Sequence, residues 1–238
     1  MKKIIFLIFL LISFISLASS NKKPIKKVKT QSVKIEKKSY KDLGAEKFYK
    51  KLDDEDLDYN VFRMAMYGYE KIEKKNEKEI IIIDFSKESS QKRFFFIDLE
   101  NAKIKYKTYV THGKNSGAET ALSFSNQPNS YKSSIGFYLT RNHYTGSYGY
   151  SVRLKGLEEE FNSNAIVRGI VIHGSKEAEE KYIEKYGFLG RTEGCPALPI
   201  SISKKIMEKI SRNTVLFIYG NDEKYLQKSK FFNRILIK

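Results

Sequence analysis

The residues able to do chemistry lie between Ile170 and Pro199. Ile170-Val171-Ile172-His173-Gly174 closes an apolar run, and Gly190-Arg191-Thr192-Glu193-Gly194-Cys195-Pro196 follows a charged spacer. Cys195 is the only cysteine and His173 is one of three histidines. An apolar run ending in His-Gly reads as a buried strand that delivers a histidine to its end. The Gly-Cys-Pro segment reads as a turn, because glycine and proline set unusual or fixed backbone angles. A thiolate is the attacking species, and a nearby imidazole favours it by taking the proton or, as a cation, by lowering the thiol pKa. The other imidazole nitrogen needs an orienting acceptor, and the nearest candidate is the carbonyl of Gly174 or a neighbour. The amides of Gly194 and Cys195 can face the oxygen of a tetrahedral intermediate. This set of groups predicts acyl transfer through a thioester, with Cys195 as nucleophile and His173 as base.

The elements that must position these groups follow from periodicity. Residues 42–75 read as two amphipathic helices, one marked by Ala45, Phe48, Tyr49 and Leu52, the other by Val61, Phe62, Ala65 and Gly68. From Glu79 the pattern changes to strands: Ile80–Phe85, Arg93–Leu99, Lys103–Thr111, Ser134–Thr140, Tyr150–Leu154, Ile166–His173 and Thr214–Tyr219. A helix is expected between the histidine and the cysteine, with Ser175 at its N-cap and Gly187 at its stop, and another at Ser203–Arg212. The expected fold class is α+β and β-rich.

The N-terminus reads as an export signal over residues 1–18: Met1-Lys2-Lys3, then a run from Ile4 to Leu17 that is apolar apart from two serines. That run is short for a membrane span. Residues 19–41 are basic and poor in hydrophobics, as expected of a tether, and residues 42–238 form the expected domain. A lone cysteine in an exported chain cannot form an internal disulfide and is a candidate reactive thiol. The formal charge of +16 predicts an anionic partner. Export and the dispersal of lysine along the chain argue against nucleic acid and favour an anionic cell-wall surface. No cofactor and no metal are expected.

The chain resembles the L,D-transpeptidase catalytic (YkuD-type) superfamily, and within it the murein L,D-transpeptidase catalytic-domain-like branch. The resemblance rests on the His173-Gly174 strand end and the Thr192-Glu193-Gly194-Cys195-Pro196 turn. It also rests on Val110-Thr111-His112-Gly113-Lys114-Asn115-Ser116-Gly117, Phe124-Ser125-Asn126, Ser133 to Thr140, Gly149 to Leu157 and Ala165 to Gly174. It implies a β-sandwich-like domain, peptidoglycan stem peptides as substrate, and attack by cysteine after the third stem residue with loss of D-Ala. It also implies a cysteine that carbapenems acylate, and a periplasmic or cell-envelope location. On this resemblance Gly174 supplies the orienting carbonyl, and Glu193, Gly194 and Cys195 occupy the oxyanion turn. The chain departs from the main pattern in carrying Glu193 where a histidine precedes Gly-Cys, and Pro196-Ala197 where Asn or Arg soon follows. A carboxylate turned toward the thiol would oppose its ionisation. Water as acyl acceptor would make the enzyme an L,D-carboxypeptidase.

Four further residues are candidates for substrate contact. His112 either lies at the cleft or is structural. His143 and Tyr138 fall in a tyrosine-rich, glycine-containing segment that reads as a substrate-covering flap or an ordinary loop. Arg191 suits a stem-peptide carboxylate or an ion pair. Two rival readings compete: a non-catalytic wall-binding module of the same fold, and a metallopeptidase using His112, His143 and His173, for which no HExxH pair is present.

Overall fold

The computed structural model describes residues 40–232, with side chains from residue 44 onward. The expected export signal lies outside the described residues. So does the expected tether, except that residues 40 and 41 already begin a helix.

Two helices open the described chain, α1 (Tyr40–Leu52) and α2 (Tyr59–Lys71). The acidic residues between them have separate jobs. Asp58 caps α2, its carboxylate accepting from the amides of Asn60 at 2.8 Å and Val61 at 3.0 Å. Asp54 and Asp56 each lie 2.7 Å from Lys107 Nζ on a sheet strand. α2 buries Val61, Phe62, Ala65, Gly68 and Tyr69 on one face.

The strands are β1 (Glu79–Asp84), β2 (Phe94–Asp98), β3 (Lys103–Thr108), β4 (Gly136–Gly146), β5 (Gly149–Gly156), β6 (Val171–Ser175), β7 (Ala197–Pro199) and β8 (Val215–Tyr219). They form one eight-stranded sheet in the order β3-β2-β1-β8-β4-β5-β6-β7. Parallel pairings join β1 to β8 and β6 to β7, and the other pairings are antiparallel. Ile80–Ile83 of β1 read as a continuous apolar run because the strand is buried on both faces. Phe137 of β4 pairs with Phe217 of β8, and their rings stack at 4.4 Å. α2 approaches this pair so closely that a Cβ on Gly68 would stand 2.0 Å from the Phe137 ring.

The α+β, β-rich architecture with N-terminal helices is the one expected, and so is the helix between His173 and Cys195. Ser175 Oγ accepts from the Glu177 amide at 3.1 Å at the start of a short 3₁₀ turn. α3 (Glu180–Tyr186) follows and stops at Gly187, whose φ is 83°. α4 (Ile200–Met207) and α5 (Glu223–Lys228) are the remaining helices among the described residues.

Several boundaries moved. The expected strand at Ile166–His173 begins only at Val171, because Ser163–Ala165 is a 3₁₀ turn and Gly169 has φ 66°. β4 runs through His143 to Gly146, so the expected loop there is strand, and the turn falls at its tip before Gly149, where φ is 74°. α4 starts three residues earlier than expected and ends at Met207.

Candidate active site

Strand pairing brings the thiol and the imidazole together. β6 and β7 run parallel with His173 opposite Ala197. Continuing that register back two residues sets Cys195 beside Val171, and the Val171 amide donates to Cys195 Sγ at 3.4 Å. Paired residues on neighbouring strands share a face, as do residues two apart on one strand. Cys195 and His173 therefore stand on one face, about 8 Å apart at Cα from ordinary strand spacing and rise. Both are buried, Cys195 at 8% exposure and His173 at 4%.

The His173 tautomer is fixed locally. Nδ1 lies 2.9 Å from the Gly174 carbonyl, which can only accept, so Nδ1 carries the proton and Nε2 carries the lone pair. Gly174 is small by necessity, since a Cβ there would meet Ser203 Oγ of α4 at 2.4 Å. The Tyr148 ring, at the tip of the β4–β5 hairpin, stacks on the imidazole at 4.5 Å. Burial holds the His173 imidazolium below its ordinary value, opposed by the Gly174 bond.

Sγ donates to the Gly169 carbonyl at 3.6 Å, and among the described residues no hydrogen bond joins it to the imidazole. Burial pushes the thiol up, opposed by the Val171 amide and the Arg168 charge and reinforced by Glu193. Thiol and imidazole are both held neutral at rest.

The turn before the cysteine is braced by motif segments distant in sequence. Thr192 Oγ1 donates to the Cys195 carbonyl at 2.6 Å and accepts from the Gly194 amide at 3.2 Å. The Thr192 amide donates to the His112 carbonyl at 2.9 Å, and the Lys114 amide donates to the Thr192 carbonyl at 2.7 Å. Thr111 exchanges bonds with Ala197, its amide donating at 3.0 Å and its hydroxyl accepting at 3.1 Å. Gly194 has φ 125°, and a Cβ there would meet the Lys132 carbonyl at 2.8 Å, so only glycine fits. With the Gly194 amide committed to Thr192, the Glu193 and Cys195 amides are the turn's donors without an acceptor among the described residues.

Glu193 turns outward. Its carboxylate lies 3.1 Å from Lys114 Nζ, and both side chains are largely exposed. Arg191 is exposed beside the turn, its guanidinium 3.5 Å from the Gly117 carbonyl.

Three expected substrate contacts require correction. His112 is fully buried: Arg93 donates to its Nδ1 at 2.8 Å, and its Nε2–H donates to the Gly117 carbonyl at 3.2 Å. Burial and the Arg93 charge push its pKa down to about 4. Its place is behind the turn, where its carbonyl holds Thr192. Tyr138 is fully buried, its hydroxyl donating to Ser134 Oγ at 2.8 Å, so it belongs to the core. His143 pairs with Val152, whose partner on β6 is Ile172, which puts it on the face opposite His173 and Cys195. It stacks there on Tyr150 at 5.5 Å. The three histidines therefore do not converge, and among the described residues no three His, Cys, Asp or Glu side chains gather as a metal site would need.

Thr192 was marked by the turn motif, but its bracing role was not, and Arg168 had no distinguishing signal of its own. Arg168 donates to the Ser125 carbonyl at 2.6 Å and the Lys132 carbonyl at 2.5 Å, and its guanidinium lies 3.1 Å from where a Gly194 Cβ would be. In a chain with 44 basic residues, type alone does not single it out.

The L,D-transpeptidase catalytic domain profile matches residues 53–219. The chain belongs to that family. No curated protein sequence matches it. Among solved structures it is similar to an L,D-transpeptidase from Mycobacterium smegmatis, with 10% identity over 60% of this chain and 59% of that one, at a TM-score of 0.39. A second, from Stackebrandtia nassauensis, has 15% identity over 75% of this chain and 77% of that one, at 0.37. A third, from Xylanimonas cellulosilytica, has 11% identity over 61% and 62%, at 0.33. The chain thus spans about six tenths of the length of the Mycobacterium smegmatis protein. No helix among the described residues is long and apolar enough to cross a membrane.

Proposed function

We propose that this chain is a peptidoglycan-modifying cysteine acyltransferase that exchanges stem-peptide links as an L,D-transpeptidase, with Cys195 as nucleophile and His173 as base. The observation that carries the reading is the pairing of a buried thiol with an imidazole on the adjacent strand whose Nδ1–H is tied to the Gly174 carbonyl. The membership of the family adds the substrate class, and the proposed site of action is the cell envelope after export.

In the proposed reaction Nε2 of His173 takes the thiol proton as Sγ attacks the carbonyl carbon that follows the L-centre of the third stem residue. The Cys195 amide donates to the oxygen of the tetrahedral intermediate. The C–N bond breaks, the departing D-Ala amine takes the proton from Nε2, and a thioester remains. An acceptor amine from a second stem then attacks the thioester, giving its proton to Nε2. The C–S bond breaks and the thiolate recovers that proton.

The test is digestion of purified muropeptides with and without an acceptor stem. A cross-linked product that needs the acceptor and disappears in Cys195→Ala supports transfer. Loss of D-Ala with no cross-link assigns hydrolysis by an L,D-carboxypeptidase. Neither product, from protein that folds, leaves a wall-binding module and overturns the enzyme reading for these substrates.

A further inference from the structure

Arg93, just ahead of β2, is a cation with no exposed surface. It makes four hydrogen bonds among the described residues, all to neutral acceptors. Nε and Nη2 donate to the Val110 carbonyl at 3.0 and 2.8 Å, and Nη2 also donates to His112 Nδ1 at 2.8 Å. Nη1 donates to the Lys87 carbonyl at 2.8 Å. Asp84, the carboxylate that acts on its charge, accepts from the Ser86 amide instead. Burying a cation on neutral partners is costly, and an apolar residue fills space at less cost.

Where the bonds go gives the guanidinium a further use. Residues 109–112 belong to no strand or helix, so their backbone is held by what packs around it. This segment grips the nucleophile turn on both sides of Cys195. Ahead of the cysteine, the Thr192 amide donates to the His112 carbonyl and the Lys114 amide donates to the Thr192 carbonyl, a parallel bridge centred on Gly113. Beyond it, Thr111 exchanges two bonds with Ala197. Arg93 holds the same segment from behind, at Val110 and at the His112 ring. A planar fork reaches both of these and the Lys87 carbonyl at once, which a lysine ammonium cannot do in one fixed geometry.

We propose that Arg93 is a positioning residue for the nucleophile: it fixes residues 110–114 from behind, and through Thr192 and Ala197 that segment sets Cys195 against His173. The chemistry of that pair rests on the function proposed above, whereas the hold on the turn does not.

Arg93→Lys keeps the cation and loses the fork. In residue-resolved amide hydrogen exchange, Thr111, Lys114, Thr192 and Ala197 exchange about tenfold or more faster than in the wild type, while the β1 and β8 amides keep their protection. In turnover of a synthetic tetrapeptide stem below the melting point, kcat falls about 10–100-fold and KM stays within about threefold, as for a displaced reacting group. A purely structural arginine would lower the melting temperature and leave kcat of the folded protein alone. A second pair of variants serves where Arg93→Lys does not fold. His112→Asn offers an amide oxygen to Arg93 and loses less in both readouts than His112→Leu, which leaves that donor unpaired. Wild-type kcat in folded Arg93→Lys, unchanged exchange at the four amides, or equal losses in the two His112 variants overturns the proposal. Faster exchange confined to the four amides, in a chain whose wild type processes no stem, strikes the proposed function and still supports the hold of Arg93 on the turn.

Discussion

Replacing Thr192 with valine removes one hydroxyl and keeps the shape of the side chain. That hydroxyl makes two short-range bonds inside the nucleophile turn, to the Cys195 carbonyl and from the Gly194 amide. Each backbone group left without its partner in this half-buried turn costs about 1–2 kcal/mol, so the pair costs about 2–4 kcal/mol. For a domain of this size the melting temperature falls by about 4–16 °C. The effect on chemistry is expected to be larger than on folding, since displacing a reacting group by about 1 Å costs up to about 100-fold in rate. Under the proposed function, the assay is the rate of carbapenem acylation of Cys195, followed by intact mass well below the melting point. Thr192→Val acylates about 10–100-fold more slowly, and Thr192→Ser, which keeps the hydroxyl, stays within about threefold of wild type. A Thr192→Val protein that is folded and acylates at the wild-type rate would refute the idea that this hydroxyl sets the nucleophile's position.

Three further outcomes follow from the same geometry. His112 has a folded pKa of about 4 against an ordinary value of 6.5. The folded value is depressed, so its contribution is full above pH 6.5 and is lost as pH falls toward 4. The difference amounts to about 3 kcal/mol, to be read as the fall in urea-unfolding free energy from pH 7 to pH 4, with a flatter curve in His112→Gln. Gly68→Ala places a methyl 2.0 Å from the Phe137 ring and destabilises by about 1–3 kcal/mol or more, although alanine is the better helix former; a higher melting temperature would contradict the packing. Tyr148→Ala uncovers the His173 ring, so the imidazole pKa rises toward 6.5 and the acid limb of the kcat/KM profile moves to higher pH, while Tyr148→Phe leaves that limb in place.

What could be read from the sequence was what short-range pattern encodes. The apolar run ending in His173-Gly174 announces a strand end, and a histidine followed by a glycine there finds a backbone acceptor one residue away. The uninterrupted Ile80–Ile83 run announces a strand covered on both faces. Burial of polar residues by distant partners was not legible. His112 depends on Arg93, nineteen residues earlier and just ahead of β2, and Tyr138 depends on how deep β4 lies between β8 and β5. β7 has three residues, too few for any periodicity to mark. The face of His143 was not legible for a related reason: alternation along β4 is interrupted by an irregularity between Thr140 and His143, so counting from Tyr138 does not give it.

The resting electrostatics bear on how the proposed reaction begins. Burial raises the thiol pKa and lowers the imidazole pKa, so both shifts favour the neutral pair over a preformed thiolate–imidazolium. The sulfur proton points at the Gly169 carbonyl. In the proposed reaction, attack therefore requires the thiol to turn from that carbonyl toward Nε2. Arg168 is the nearby fixed charge that opposes the burial of the thiolate, and Glu193 is drawn away from the sulfur by Lys114. For the proposed reaction Glu193 still opposes ionisation of the thiol, while its ion pair with exposed Lys114 turns its carboxylate outward. Removing the glutamate is the change that would lower the thiol pKa.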